Sequence, residues 1–176
     1  MMADWSQNTA KLRELILFIA DRCADEKVGD VYLNKVLFFS DAFALQHLGE
    51  PITGARYQKL PLGPAARPLV PLRNDMIDDG DVEVEMAGKR RVTRALRKPD
   101  MSIFSDEEVK LVERVMDLFR GYSATVVSDA SHDLSPGWNL VEIGEDIPLQ
   151  SQLISTAPPS PEVLRRGREL AEKFGW

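Results

Sequence analysis

The chain has 176 residues, 44 % of them hydrophobic, and its 22 lysines and arginines are outnumbered by 28 aspartates and glutamates, which gives a formal net charge of −6. This composition is typical of one folded domain and excludes a disordered chain, and the acidic balance argues against a general nucleic-acid-binding protein. The single cysteine, Cys23, excludes an internal disulfide framework and a cysteine-based zinc site.

Apolar residues at helical spacing predict two helices at the start of the chain. The second helix fits residues 33–47 and ends before Gly49 and Pro51, which are typical helix terminators. Three phenylalanines broaden its apolar stripe, so we expect this helix to be buried on two sides. Thr9 is placed to cap the first helix, whose apolar face consists of Leu12, Leu15, Ile16, Ile19 and Cys23.

A segment rich in proline and glycine follows and predicts a short strand and a turn. Residues 55–60 fit an extended strand, and Leu62-Gly63-Pro64 is a turn signal, because glycine permits unusual backbone angles and proline restricts them. Pro64 and Pro68 both suit the first turn of a third helix, where a missing N–H is harmless. We expect that helix to end at Gly80.

Alternating residues in two short stretches, 81–85 and 91–96, predict a β-hairpin. We favour a three-residue loop at residues 87–89, because it places Val84 opposite Val92 and Glu85 opposite Arg91. A two-residue loop would set Val84 against Arg91 and leave the apolar face unmatched.

The second half of the chain reads mainly as helix. Ser105 and Glu108 form the pattern of a capping box, and Ser123 is placed to cap a shorter helix that breaks near Pro136. Residues 138–159 look irregular, and an amphipathic helix begins at Pro161. The predicted fold is therefore α+β and predominantly helical, with about six helices around a small antiparallel β-hairpin or three-stranded sheet.

The usual catalytic signatures are absent from the sequence. There is no glycine-rich phosphate loop, no zinc-binding His-Glu-x-x-His helix and no nucleophile elbow. The acidic residues between positions 75 and 85 lack the spacing of a calcium loop. We therefore expect no catalytic residue, no cofactor and no metal. A hydrolase centred on His132 is the least favoured alternative, because a core role beside Trp138 explains that histidine as well.

The sequence also indicates a cytoplasmic protein. No apolar run approaches the roughly 20 residues that a membrane-spanning helix needs. The first residues lack the basic and apolar regions of a signal peptide.

A basic stretch at residues 89–98 is a candidate nucleic-acid contact, with Arg90, Arg91 and Arg94 as its main residues. The neighbouring acidic strand offers cross-strand partners to the same arginines. We therefore favour an internally paired hairpin, and a nucleic-acid-binding regulator that uses residues 89–98 stays open as the alternative function.

Two further stretches carry a family resemblance. The later one is Ser131-His132 followed by Pro136 and Trp138. The earlier one reads Leu33-Asn34-Lys35-Val36-Leu37-Phe38-Phe39-Ser40-Asp41, then Gly49-Glu50-Pro51-Ile52-Thr53-Gly54 and Leu60-Pro61-Leu62-Gly63-Pro64.

Together these stretches resemble the SocA-like Panacea antitoxin domain, which is often labelled phage-associated. Two departures from the family pattern stand out, since Leu62 replaces an aromatic residue before the Gly-Pro turn and Gly137 separates the Pro from the Trp. The resemblance implies one Panacea-like domain over residues 1–145, followed by a linker and a helix (residues 146–176) that pack on the same domain. Five motif residues are expected to be mainly structural: Lys35, Gly63, Pro64, His132 and Trp138.

The resemblance also implies a function. Panacea-like domains act as non-enzymatic antitoxins of type II toxin–antitoxin pairs and neutralise a cognate toxin by direct contact, and one branch hands its toxin to a Clp-type protease. We expect a toxin protein as the partner, with a Clp-type protease and a homodimer left open. The candidate toxin contacts are an apolar turn and an acidic surface: Tyr57, Leu60, Leu62, Asp78 and Asp79.

Overall fold

The computed structural model describes residues 7–24, 29–154 and 159–174. These residues form seven α-helices, a three-stranded antiparallel sheet and a separate two-stranded hairpin, so the predicted α+β, predominantly helical fold is confirmed. The helices are α1 (Thr9–Arg22), α2 (Asp30–Leu48), α3 (Leu69–Asp78), α4 (Asp106–Phe119), α5 (Ala124–Asp133), α6 (Pro136–Leu140) and α7 (Pro161–Phe174). The strands are β1 (Tyr57–Leu60), β2 (Gly63–Ala66), β3 (Val82–Ala87), β4 (Arg90–Ala95) and β5 (Asp146–Ile147).

Helix α2 is the centre of the core. Helices α1, α4 and α5 and strands β2 and β4 all pack against it. Its burial on more than one side, which the run of phenylalanines predicted, is therefore confirmed. It ends at Gly49, whose φ of +88° is the left-handed cap expected there. Fully buried residues along it include Val36, Leu37, Phe38, Phe39, Ala42 and Ala44.

The helix caps follow the sequence with one correction. The capping box at Ser105 and Glu108 is present in both directions, which confirms that helix start. Helix α1, in contrast, is capped by Asn8 and not by Thr9. The Asn8 side chain accepts a hydrogen bond from the Lys11 backbone N–H, at 3.0 Å. Asparagine is among the preferred N-cap residues, so the cap lies one residue earlier than expected.

The turn at residues 61–62 joins β1 to β2 and forms a tight hairpin. Leu60 pairs with Gly63 and Tyr57 with Ala66. Pro64 therefore lies in strand β2, and the expectation that it begins the third helix is wrong. Helix α3 begins five residues later, after Pro68. Gly63, with a φ of +100°, allows the chain to reverse into an extended strand.

The other edge of β1 pairs with β5, so the sheet order is β2-β1-β5. The expectation that residues 138–159 are irregular is therefore wrong for residues 138–153. That part holds the end of α6, strand β5 and a short 3-10 helix at Leu149–Leu153. Ile147 and Leu149 are buried in the same core as α2.

Strands β3 and β4 form the predicted second hairpin, but its register differs from the prediction. Val84 pairs with Thr93 and Glu85 pairs with Val92, and the loop contains only residues 88–89. The expected three-residue loop is therefore wrong.

The reason for the register is that both faces of β4 are covered. Thr93 is 8 % exposed and Val92 is 3 % exposed, although neighbouring residues in a strand point to opposite faces. The predicted pairing of Val84 with Val92 assumed that only one face was buried. Thr93 occupies the position opposite Val84, and its hydroxyl accepts a hydrogen bond from Arg73.

Candidate functional site

The motif residues meet behind the β1–β2 turn. Lys35, on α2, is 1 % exposed, and its Nζ donates a hydrogen bond to the Pro64 carbonyl oxygen at 3.1 Å. A Cβ atom at Gly63 would lie 2.4 Å from Ser131 Oγ and 2.7 Å from Lys35 Nζ. Glycine at this position therefore lets α2, β2 and α5 approach closely.

Burial has a second consequence for Lys35. It lowers the pKa of Lys35 to about 7, because the charged ammonium loses its hydration. Ser131, which faces the same point, is fully buried and donates its hydroxyl to the Ser128 carbonyl. These contacts hold the β1–β2 turn against α2 and α5. They favour the structural role that the resemblance implied for Lys35, Gly63 and Pro64.

His132 and Trp138 support the same turn from the other side. Their rings stack with centroids 3.9 Å apart and an interplanar angle of 11°. The Trp138 Nε1–H donates to the Leu60 carbonyl at 3.3 Å. The Lys59 ammonium lies 4.1 Å from the Trp138 ring centroid and donates to the Val141 carbonyl. Trp138 is therefore bonded to the end of β1 itself.

The surroundings of His132 favour a packing role over an acid–base role. Burial, with a further contribution from the charge of Lys35, lowers the pKa of His132. Its Nε2 is buried and makes no hydrogen bond within the described part of the chain. A catalytic histidine needs a group to orient it and a proton to transfer, and within the described residues no carboxylate is hydrogen-bonded to this ring.

Gly137, a departure from the family pattern, also has a structural reason. A Cβ atom there would lie 1.9 Å from Ser151 Oγ, so α6 and the 3-10 helix at Leu149–Leu153 touch at this residue. The contact keeps Trp138 in place although the proline and the tryptophan are not adjacent.

The candidate contact residues of the turn are not equally accessible. Leu62, at the tip, is 57 % exposed, and Leu60 is half-buried. Tyr57 is 1 % exposed, so its side chain cannot reach a partner in this conformation. The apolar surface proposed for the turn therefore reduces to Leu62 and the edge of Leu60.

Tyr57 instead belongs to a buried polar network that the sequence did not indicate. Its hydroxyl lies 2.8 Å from Asp41 Oδ2 and 3.0 Å from the Leu37 carbonyl oxygen. Asp41 also accepts hydrogen bonds from the Thr53 backbone N–H and hydroxyl. Burial raises the pKa of Asp41 in spite of these bonds. The sequence feature that points to this network is Asp41 itself, a charged residue within the apolar helix α2.

The acidic candidates lie at the end of α3. Asp78 is exposed, and no ion pair within the described residues involves it. Asp79 is also exposed but bonds Arg13 at 2.5 Å. Asp78 is therefore the freer of the two carboxylates for a partner.

The arginines of the second hairpin are mostly neutralised within the chain. Arg91 lies 3.0 Å from Asp30, and Arg94 lies 2.6 Å from Glu85. Arg90 is exposed and forms no ion pair with any residue that the structure describes. The arrangement agrees with internal pairing, although Arg94 and not Arg91 is the partner of Glu85.

Two features relevant to function classes follow from the described residues alone. They contain no group of three or more His, Cys, Asp or Glu side chains that is placed to hold a metal ion. Among their helices, none is both long enough and apolar enough to cross a lipid bilayer.

Comparisons with known proteins agree with the motif geometry. A search of curated proteins and a search of solved structures found no significant match. A family model described as "Antitoxin SocA-like, Panacea domain" matches residues 33–139, from the first full turn of α2 to Asn139 in α6. The match includes all five motif residues that surround the turn. The chain therefore belongs to the SocA-like Panacea antitoxin family.

Proposed function

We propose that the chain is the antitoxin of a type II toxin–antitoxin pair and neutralises its cognate protein toxin by direct, stoichiometric binding in the cytoplasm. The family match supports an antitoxin role in general. Direct binding accounts for this role without a catalytic step, which agrees with a motif cluster built of packing contacts.

The observation that carries this proposal is Leu62. It is an apolar side chain at the tip of a two-residue turn, exposed to 57 %. On the inner side of the turn, Lys35 bonds the Pro64 carbonyl, Trp138 bonds the Leu60 carbonyl and Ser131 lies against Gly63. A rigid turn that keeps an apolar group in water gains free energy when a partner covers that group, and it loses little conformational entropy on binding.

The experiment uses the gene next to the one that encodes this chain. Expressed alone, that product should arrest growth, and the full-length chain should restore growth and co-purify with it. Leu62→Glu should weaken the complex by about tenfold or more, because a carboxylate would be desolvated in the contact. Leu118→Glu, at another exposed leucine on α4, is the matched control and should bind like the wild type.

The proposal is wrong if the neighbouring product is harmless alone, or if it arrests growth and forms no complex with the chain. Equal binding by both variants would show that Leu62 lies outside the contact. If the chain also acts as an adaptor that delivers the toxin to a Clp-type protease, the amount of toxin in the cell should fall when the chain is present. It should recover when the Clp protease is deleted.

A further inference from the structure

A groove runs between the tips of the two hairpins. One cavity, of about 390 Å³, lies between the loop at residues 88–89, the start of α2 and the start of α5. A second, of about 300 Å³, extends along β2 beside Gly63 and Pro64. Both cavities share four lining residues, so we treat them as one surface, called the hairpin groove. The shared residues are Asp30, Val31, Leu62 and Arg91.

The hairpin groove is positively charged in an acidic protein. Among the described residues, Asp30 is the single acidic one that lines it, and Arg73 and Arg91 already neutralise that carboxylate at 2.5 Å and 3.0 Å. The basic residues that line it are Lys35, Arg67, Lys89, Arg90 and Arg91, of which Lys35 is buried, Arg67 is paired with Asp146 and Arg91 is paired with Asp30. The whole chain, in contrast, has a net charge of −6. The groove is thus a local exception to the charge of the molecule.

Lys89 and Arg90 are the residues of this groove that are available to a ligand. Both are exposed, and neither forms an ion pair within the described residues. The backbone of Arg90 pairs with Ala87 in the hairpin. The Arg90 side chain also packs against Gly29, where an added Cβ atom would lie 3.2 Å from the Arg90 Cβ. Two cations that have no ion-pair partner within the described residues therefore lie at the end of the β3–β4 hairpin.

The groove also exposes apolar groups beside these cations. Leu62 is 57 % exposed and Tyr122 is 62 % exposed, and both line the first cavity with Val31 and Val127. A pocket of this size accommodates one or two apolar side chains. An apolar site with positive charge at its edge is complementary to an apolar side chain that has acidic neighbours.

We propose that the hairpin groove binds a segment of a partner protein in which acidic residues flank an exposed apolar side chain. The apolar side chain packs between Leu62 and Tyr122, and the carboxylates face Lys89 and Arg90. This inference rests on the proposed function, since the toxin supplies the segment. It adds the chemistry of that segment and extends the contact from the Leu62 turn to the second hairpin.

A nucleic acid fits the groove less well than a peptide. Strong binding to phosphates needs many free cations, and Arg91 and Arg94 are engaged with Asp30 and Glu85. The cavity beside Lys89 and Arg90 is lined partly by aliphatic groups, such as Val31 and Val127. These groups match an aliphatic or aromatic side chain better than a sugar–phosphate backbone.

The test selects ligands from a library of short random peptides displayed against the immobilised full-length chain. We expect the enriched peptides to carry acidic residues next to a leucine or an aromatic residue. The most enriched peptide is then labelled, and its affinity is measured by fluorescence anisotropy. Lys89→Glu with Arg90→Glu should weaken binding by about tenfold or more, and a rise from about 0.05 to 0.3 M salt should weaken wild-type binding as well.

The matched control is Lys110→Glu with Arg114→Glu, which makes the same charge change on exposed residues beside another apolar cavity, on α4. It should bind the peptide within about twofold of the wild type. Thermal unfolding of each variant shows that the fold is intact. Peptides without an acidic excess, or equal binding by both double variants, would overturn the proposal. The proposal would also be overturned if a short single-stranded RNA bound more tightly than the peptide and if this RNA binding were abolished in the Lys89→Glu/Arg90→Glu variant.

Failure of this inference and failure of the proposed function give different results. If the Lys89/Arg90 variant still neutralises the toxin and binds it as tightly as the wild type, the antitoxin function stands and the hairpin groove is not its contact. If the peptide binds as expected while the neighbouring gene product is harmless, the groove is a binding site and the antitoxin proposal is wrong.

Discussion

Gly63 combines a positive φ with close neighbours, so both its backbone and its surroundings resist substitution. Its φ of +100° disfavours any side chain, and an added Cβ would overlap Ser131 Oγ and Lys35 Nζ. We expect Gly63→Ala to lower the free energy of unfolding by about 2–5 kcal/mol, from backbone strain and overpacking together. Urea denaturation followed by circular dichroism measures this loss.

Gly88→Ala is the control for backbone strain without overlap. Gly88 also has a positive φ, +65°, but a Cβ atom there would meet nothing within 4 Å. We expect a loss of about 1 kcal/mol. If the two alanine variants lose the same stability, the close approach of Lys35 and Ser131 to the turn is not a source of stability.

Lys35 makes the stability of the protein depend on pH. Burial lowers its pKa to about 7, whereas the unfolded chain keeps this proton until about pH 10. Between these values the unfolded state binds more protons, so the contribution of Lys35 to stability rises with pH. The rise is at most about 1.4 kcal/mol per pH unit.

Lys35→Met should remove this rise. Between pH 7 and pH 9, we expect the free energy of unfolding of the wild type to rise by roughly 2 kcal/mol relative to that of the variant, since methionine cannot release a proton. Lys98→Met, at an exposed ammonium, should follow the wild type across the same range. A constant difference between Lys35→Met and wild type would mean that Lys35 keeps its charge when folded.

Arg97 is one of the residues that join helix α1 to the β3–β4 hairpin. Its guanidinium bonds Glu14 on α1 at 2.7 Å and Asp81, before β3, at 2.6 Å. These carboxylates are only 9 % and 8 % exposed. We expect Arg97→Met to cost about 2 kcal/mol or more, because it leaves Glu14 buried without its cation. Chemical denaturation of the variant checks this.

The acid side of the stability curve provides a second measurement of the Arg97 contact. Hydrogen bonds from Arg97 are the largest cause that lowers the pKa of both Glu14 and Asp81. A carboxyl group whose pKa is lowered by folding adds stability above about pH 4, and this contribution is lost as the pH falls further. Arg97→Met should therefore lose less stability than the wild type on acidification. Lys98→Met, which breaks an exposed pair with Asp21, should cost under about 0.5 kcal/mol.

The elements differ in how well their own residues predict them. Helix α4 follows from a capping box and a regular apolar stripe, which are local signals. The β3–β4 register does not follow from local signals, because Thr93 is paired and buried through Arg73 on α3. A strand covered on both faces has no alternation that identifies the correct pairing.

In the molecule as a whole, residues beyond position 145 pack into the same core as the helices before them. The expected boundary at residue 145 lies directly before β5, which completes the sheet, and before the buried residues Ile147 and Leu149. Helix α7, in contrast, exposes its apolar residues Val163, Leu164 and Leu170. Its predicted packing on the domain stays a prediction.

Two truncations separate these regions. A chain that ends at Ile154 should unfold cooperatively, with a free energy of unfolding within about 1 kcal/mol of the full length, because it keeps all the residues that are buried in the described part of the chain. A chain that ends at Glu145 should lose about 3–5 kcal/mol, since it loses Ile147, Leu149 and the edge pairing of β1. Thermal and urea unfolding measure both. A large loss on removal of residues 155–176 alone would instead show that α7 packs on the domain.

The sequence alone determined the helical class, several helix ends and the family, because caps, apolar spacing and the Lys35, Gly63, His132 and Trp138 motifs are local patterns. Only the tertiary structure decided that these motif residues meet behind one turn, that Tyr57 is buried on Asp41, and that a basic groove opens beside Leu62 in an acidic chain. Contacts between residues distant in the chain depend on how the helices and hairpins pack, and spacing along the sequence carries no record of that packing.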